Sequence, residues 1–242
     1  MSWFRPIVLM AVAGLVHAET HVSNRNLWIN YVGDHPLENP RWGVHLETQI
    51  RRSDFGGAWQ QLLLRPGLNY AINRTVSVSA GYAWVETHPY GDLPLPTEVP
   101  ENRAWEQALF RQQALGLDWI HRVRLEQRFL GQISVQDGQA VVDGWRYENR
   151  FRYLLRTSVP LSGDRRWYLA LWDEVFVNFG ANVSGNHFDQ NRIFLGLGWR
   201  INDVTRLETG FLEQTLQRRG GTVWEFNQTL AIWLLSQWPG RQ

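Results

Sequence analysis

The chain of 242 residues contains no cysteine and no lysine. The absence of cysteine excludes disulfide bonds, a thiol nucleophile and a lipid-anchored N-terminal cysteine. All 24 basic residues are therefore arginines, whose planar guanidinium groups suit bidentate pairing with carboxylates. The formal net charge is only +1, so the composition implies no nucleic-acid partner.

Long apolar runs are also scarce. The longest, IVLMAVAGLV at residues 7–16, is too short to cross a bilayer as a helix. Arg5 precedes this run and the small-residue site Val16-His17-Ala18 follows it, which predicts a secretory signal peptide over residues 1–18. No later segment has the ~18 consecutive apolar residues that a membrane helix needs. The sequence therefore predicts an exported protein that is not a helical membrane protein.

Aromatic residues and strict alternation are abundant instead. The stretch WRYENRFRYLL, residues 145–155, places Arg146, Glu148, Arg150 and Arg152 on one parity. Aromatic and aliphatic residues occupy the other parity. A period of two predicts a β-strand with one charged face and one apolar face.

Ten alternating runs follow residue 41, and short turns alternate with longer loops between them. The runs are 42–52, 59–70, 75–86, 104–114, 118–129, 145–157, 166–178, 191–201, 204–214 and 223–235. Each is about twice as long as an ordinary strand of ~5–6 residues and matches the ~9–11 residues of a tilted membrane-spanning strand. This arrangement is typical of bacterial outer-membrane barrels.

The predicted fold is all-β, an antiparallel up-and-down transmembrane β-barrel of ten strands, with twelve as the alternative. The barrel covers residues 42–242, after a partly irregular N-terminal segment at 19–41. Within that segment, NLWINYV at 26–32 resembles an eleventh strand. We favour a short strand that does not span the barrel. Twelve strands, or a strand that closes the barrel in parallel, are the alternatives.

The position of the charged face depends on the environment of the barrel. Tryptophans and tyrosines gather near the predicted strand ends, as in the interfacial girdles of outer-membrane barrels. We therefore expect the apolar faces to meet outer-membrane lipid and the charged faces to line the lumen. The barrel-assembly machinery is then an expected partner. A soluble periplasmic β-protein with the opposite orientation is the alternative.

The predicted lumen carries a charge network on two consecutive strands. Its members are Arg122, Arg124, Glu126, Arg128, Arg146, Glu148, Arg150 and Arg152. We expect these side chains to form a salt-bridge network that fills a narrow lumen. The alternative is a basic pore or pocket for a small anionic solute, since arginine rings mark anion pathways.

A second group is Ser184, His187 and Asp189 in the predicted loop NVSGNHFDQ. A serine and a histidine at the rim of a barrel could act as nucleophile and base on lipid. A polar loop without catalytic function is the favoured interpretation, because nothing here resembles a nucleophile elbow. The histidines show no metal-ligand spacing, and the sequence predicts no metal and no cofactor.

Four motifs also resemble a known bacterial family. They are LW…RWGVHLETQIRR (27–52), DEVFVNFG (173–180), FDQNRIFLGLGWRI (188–201) and LETGFLEQ (207–214). The family is catalogued only as a domain of unknown function, family twenty-four ninety. The resemblance implies an exported outer-membrane barrel and no particular activity. Many such barrels end on an aromatic residue that the assembly machinery reads, whereas four residues follow Trp238 here.

Overall fold

A computed structural model describes residues 19–237 of the chain. The predicted signal peptide and Trp238 lie outside the described residues. The described part is a closed β-barrel, which confirms the all-β prediction. Its helical content is a single 3-10 turn, Asp54–Gly56, and it includes no helix long and apolar enough to cross a membrane.

The barrel has eleven strands. They are β1 (Thr20–Pro36), β2 (Trp42–Ser53), β3 (Ala58–Ala71), β4 (Val76–Thr87), β5 (Val99–Ala114), β6 (Leu117–Gln136), β7 (Gln139–Pro160), β8 (Trp167–Phe179), β9 (Phe188–Arg200), β10 (Thr205–Gln217) and β11 (Val223–Ser236). Consecutive strands pair antiparallel around the barrel. The first and last strands close it in parallel, from Thr20 opposite Val223 to Gly33 opposite Ser236.

The predicted strand count of ten or twelve was wrong, and so was the favoured interpretation of residues 26–32. This segment is the middle of β1, which pairs with β2 on one side and with β11 on the other. An up-and-down barrel with an odd number of strands must close with one parallel pair. The parallel closure that the sequence left open as an alternative is therefore the observed one.

The ten predicted strands all occur, and β5, β6 and β7 extend furthest beyond the predicted runs. β5 begins at Val99, inside a predicted loop. β6 and β7 continue through most of the predicted loop at 130–144 and meet at the turn Asp137-Gly138. Both turn residues have positive φ, 51° and 78°, a conformation that Asp tolerates and Gly adopts freely.

The two ends of the barrel differ. The short-turn end carries the connections after the odd-numbered strands, at 37–41, 72–75, 115–116, 161–166 and 201–204. The loop end carries the longer segments 88–98 and 180–187 and the extended β6–β7 hairpin. Because β1 and β11 run in the same direction, the described chain starts at the loop end and finishes at the short-turn end.

Alternation along the strands sorts the side chains into an interior and an exterior set. Among the described residues, more than twice as many buried side chains are polar or charged as are hydrophobic. Many large hydrophobic side chains instead lie on the outer surface. The interior of this barrel is therefore a polar one, the reverse of an ordinary protein core.

The parallel β1–β11 pair is the seam of the barrel, and asparagine side chains on its inner face form hydrogen bonds across it. The Asn26 amide donates to the side-chain oxygen of Asn227 at 2.9 Å, and the Asn24 amide donates to the same oxygen at 3.2 Å. Asn227 donates in turn to Glu225 at 2.8 Å. These amides are buried, so each depends on the others for its hydrogen bonds.

We predict that Asn227→Ala destabilises the barrel by about 1–3 kcal/mol, because it leaves the buried amides of Asn24 and Asn26 without their shared acceptor. Urea unfolding followed by tryptophan fluorescence measures the change. Gln228→Ala is the matched control, since its side chain is exposed on the outer face of the same strand. Equal effects of the two substitutions would show that the seam amides contribute nothing specific.

Candidate functional site in the barrel interior

Glu126 is the centre of the charged interior. Its side chain projects from β6 and is only 1% exposed. It accepts hydrogen bonds from Arg150 Nε at 2.8 Å, Arg152 Nη1 at 2.7 Å and Arg65 Nη2 at 3.2 Å. Arg103 Nη1 lies 3.9 Å from the same carboxylate. One negative charge is therefore shared by four arginines from β3, β5 and β7.

Further carboxylates extend this network around the barrel. Glu174 on β8 pairs with Arg122 at 2.7 Å and with Arg152 at 2.8 Å. Asp189 on β9 pairs with Arg150 at 2.8 Å. Because Arg150 and Arg152 each bind two carboxylates, they link β8 and β9 to the Glu126 centre.

Two more carboxylates bind pairs of arginines toward the loop end. Glu101 on β5 accepts from Arg103 Nε at 2.6 Å and also binds Arg128. Glu148 on β7 pairs with Arg146 at 2.7 Å, and the network continues from Glu148 to Arg219 at 3.0 Å, beyond the end of β10.

The structure places all eight residues of the predicted charge network on the inner face of β6 and β7. Each arginine among them has a carboxylate within 4.0 Å, although for Arg124 this is a long contact of 3.8 Å to Glu47. Arg124 instead donates to Gln107 at 2.7 and 3.0 Å. The side chains that pair with the eight predicted residues also come from β2, β3, β5, β8 and β9.

Arg65, Arg103 and Glu101 also belong to the network, although they were not predicted. Glu101 and Arg103 lie in the part of β5 that was predicted to be a loop, and Arg65 shares the inner face of β3 with the apolar Leu63. An apolar residue on the charged parity makes such a strand hard to assign to a face.

An aromatic cluster fills the interior toward the short-turn end. Trp172 stacks on Phe194 at a centroid distance of 5.3 Å, and the Tyr168 hydroxyl donates to Glu208 at 2.7 Å. The ring of Tyr168 lies over Gly198, where an added Cβ would come within 2.2 Å of the ring. Tyr168, Trp172 and Phe194 therefore place apolar rings on the inner, largely polar face of β8 and β9.

Two cavities remain inside the barrel. The first, about 400 Å³, opens toward the loop end and is lined by nine arginines but only two carboxylates, Glu101 and Asp189. The second, about 610 Å³, lies at the short-turn end. The two share no lining residue. Neither cavity is lined by Glu47, Arg124 or Glu126, which are all at most 6% exposed. These three side chains therefore fill the barrel interior between the two cavities.

The loop segment 88–98 covers part of the mouth of the first cavity. Tyr90 lines this cavity, and its hydroxyl donates to Glu225 at 2.6 Å. Burial raises the pKa of Tyr90, and the nearby negative charge of Glu225 raises it further by a smaller amount. The phenol therefore stays protonated and remains a hydrogen-bond donor to the carboxylate.

The structure does not assemble the predicted rim group into a catalytic relay. Ser184 and His187 are exposed in the segment 180–187, and no hydrogen bond joins their side chains. Asp189 points into the barrel and binds Arg150 at 2.8 Å and the Asn178 amide at 3.0 Å. Its carboxylate belongs to the interior charge network.

Within residues 19–237, one group of potential metal ligands comes together, and it consists of Glu86, His88 and Glu98 at the loop end. His88 Nδ1 lies 2.8 Å from Glu98 Oε1, so a hydrogen bond between the two accounts for their approach. The sequence did not indicate this group, because only the fold of segment 88–98 brings Glu98 next to His88.

Comparison with known proteins identifies the family. Residues 25–226 match the family described as "Protein of unknown function (DUF2490)", and the chain belongs to this family. An uncharacterized protein of Methylorubrum extorquens is 27% identical over 235 residues, covering 93% of this chain and 92% of the relative. No solved structure matches the chain.

We predict that Glu126→Gln lowers the free energy of unfolding by about 3–5 kcal/mol, because it leaves four buried arginines without their shared negative charge. Glu106→Gln is the matched control, since it removes the same charge from an exposed position on the outer face of β5. Both variants are compared by urea unfolding.

A double-mutant cycle separates the ion pairs from a general packing effect. The double variant Glu126→Gln/Arg150→Gln is expected to lose less stability than the sum of its single variants. Strict additivity would contradict a direct energetic coupling between Glu126 and Arg150.

Proposed function

We propose that this protein is an outer-membrane β-barrel whose interior is closed by its salt-bridge network, so that it does not act as an open pore. The observation that carries this proposal is the inverted burial: charged side chains fill the inside and hydrophobic side chains cover the outside. A soluble barrel would expose this apolar surface to water, whereas a lipid bilayer would cover it.

The apolar exterior extends around the barrel at mid-strand height. Its exposed side chains include Ile29, Leu46, Leu64, Leu68, Phe151, Leu195, Leu197, Phe211 and Leu230. They come from β1, β2, β3, β7, β9, β10 and β11. A patch that extends over so many strands fits a lipid environment better than a binding site for one protein partner.

Two pairs of polar side chains on the outer face of β5, β6 and β7 are hydrogen-bonded to each other. Gln127 donates to Glu106 at 3.0 Å, and His121 lies 2.8 Å from the Tyr153 hydroxyl. Such pairing satisfies hydrogen bonds that water would otherwise supply, which is what lipid-facing polar groups need.

Aromatic pairs lie near both ends of the barrel. Trp167 stacks on Trp199 at 5.8 Å next to the short-turn end. Phe129 and Tyr147 lie 5.2 Å apart toward the loop end. Two aromatic belts separated by an aliphatic band are the pattern of outer-membrane barrels at the two lipid–water interfaces.

The proposed closed state follows from the charge network. A conducting barrel needs a continuous wet path, but the two interior cavities are separated by buried, ion-paired side chains such as Glu126. Opening a path would separate several buried ion pairs at once, and each separation is costly.

We predict that Leu195→Arg destabilises the membrane-inserted barrel by about 2–4 kcal/mol, because it places a charge in the middle of the lipid-facing band. Val135→Arg is the matched control, since Val135 is exposed near the tip of the β6–β7 hairpin. Unfolding from lipid vesicles measures both changes. A near-neutral effect of Leu195→Arg, or recovery of the native protein in the soluble periplasmic fraction, would contradict the membrane assignment.

We also predict that the purified protein produces no stable conductance in planar bilayers in concentrated KCl. A porin inserted under the same conditions is the positive control, and protease protection verifies that the protein has inserted. A reproducible ohmic current would contradict the closed interior and leave the membrane assignment intact.

A further inference from the structure

Two arginines of the loop-end cavity differ from the other seven. Arg51 on β2 and Arg192 on β9 line this cavity and are 7% and 6% exposed. Among residues 19–237, no carboxylate lies within 4.0 Å of either guanidinium group. The other seven arginines that line the cavity each have at least one such partner.

Neutral groups provide only part of the hydrogen bonding that these two arginines need. Arg51 donates from Nη1 to Gln61 at 2.7 Å, from Nε to Gln49 at 3.1 Å, and from Nη2 to the same Gln49 oxygen, so each of its three nitrogens uses one N–H and the remaining N–H groups of Nη1 and Nη2 have no acceptor in the described part of the chain. Arg192 donates from Nε to Gln190 at 3.1 Å, and neither of its Nη atoms has a hydrogen-bond acceptor in the described part of the chain. Its guanidinium edge is therefore available to a ligand in the cavity.

Both cations lie against the same aromatic side chain. Arg51 Cζ is 4.0 Å and Arg192 Cζ is 5.2 Å from the ring centroid of Trp28. The Trp28 indole is fixed by a hydrogen bond from Nε1 to Gln60 at 2.8 Å. Two like charges on one buried ring repel each other, and cation–π attraction offsets only part of their burial cost.

We propose that this cavity binds a small organic anion through Arg51 and Arg192. The oxyanion of the ligand, a carboxylate or a phosphate monoester, would accept hydrogen bonds from both guanidinium groups, whose planar forks match either geometry. It would also supply the negative charge that the surrounding chain does not place beside them.

Part of the cavity wall is apolar and suits an apolar ligand body. Leu63, Phe176 and Leu216 contribute to its wall, and Phe176 also lies 4.8 Å from Arg192 Cζ. The volume of about 400 Å³ falls within the ~300–1,000 Å³ common for small-ligand sites. A single aromatic ring with one anionic group fits these limits, and a hydrated inorganic ion would leave the apolar wall without a contact.

The site does not depend on the membrane assignment. All the contacts that define it lie inside the barrel, so they are the same in any compartment. Binding can be measured on the full-length mature chain in detergent, and failure of the localisation experiment would leave this test unaffected.

Isothermal titration calorimetry with benzoate, phenyl phosphate, inorganic phosphate and neutral benzamide tests the proposal. We expect benzoate or phenyl phosphate to bind and benzamide not to bind. Arg192→Gln and Arg51→Gln should each weaken binding by about tenfold or more, whereas Arg166→Gln, which removes an exposed arginine at the short-turn end, should leave it unchanged.

Thermal unfolding without ligand adds a second readout. Arg192→Gln removes a buried charge that has no carboxylate within 4.0 Å, so we expect the Tm of the ligand-free variant to equal or exceed that of the wild type. A lower Tm would assign Arg192 a structural role and overturn the proposal.

Three binding results would also overturn it. These are no binding of either aromatic anion, equal binding of benzamide and benzoate, and equal loss of affinity in Arg166→Gln and Arg192→Gln. If inorganic phosphate binds as tightly as phenyl phosphate, the apolar part of the proposed ligand is wrong.

Discussion

The interior of this barrel depends on one constraint, that charges removed from water must find partners within the chain. Glu126 is the buried carboxylate partner of four arginines, which come from three different strands. A buried carboxylate without these cations, or the cations without it, would cost several kcal/mol. The charged interior is therefore stable only when the strands are in register, which ties the network to the closure of the barrel.

Closure itself involves the same kind of interaction. The parallel seam between β1 and β11 is lined by the buried Asn24 and Asn26, whose amides donate hydrogen bonds to Asn227 and, from Asn24, to Glu225. Glu225 also accepts from Tyr90 in the segment over the cavity mouth. The seam, the mouth and the charge network thus form one continuous polar interior, within which Arg51 and Arg192 lack carboxylate partners.

Much of the architecture could be predicted from alternation. The ten strands after residue 41, and the common face of Arg122, Arg124, Glu126 and Arg128, follow from a period of two, which the pleat of a strand imposes on its side chains. Alternation did not decide which face lies inside. The prediction failed at β1, since it interpreted 26–32 as a short segment, and at the β6–β7 hairpin, whose strands run beyond the apolar band. Inward aromatics such as Phe194 also concealed the pattern, because a packed interior accepts any side chain that fits.

The sequence by itself determined the all-β class and the alternation of charged and apolar faces. It also provides many arginines and enough carboxylates to pair with most of them. Only the tertiary structure decided how the barrel closes, which carboxylate pairs with which arginine, and which arginines have no carboxylate partner. The physical reason is that alternation is a local property of the chain, whereas pairing depends on distances across the barrel. Arg51 and Arg192 are far apart in sequence and become neighbours only when both meet the ring of Trp28.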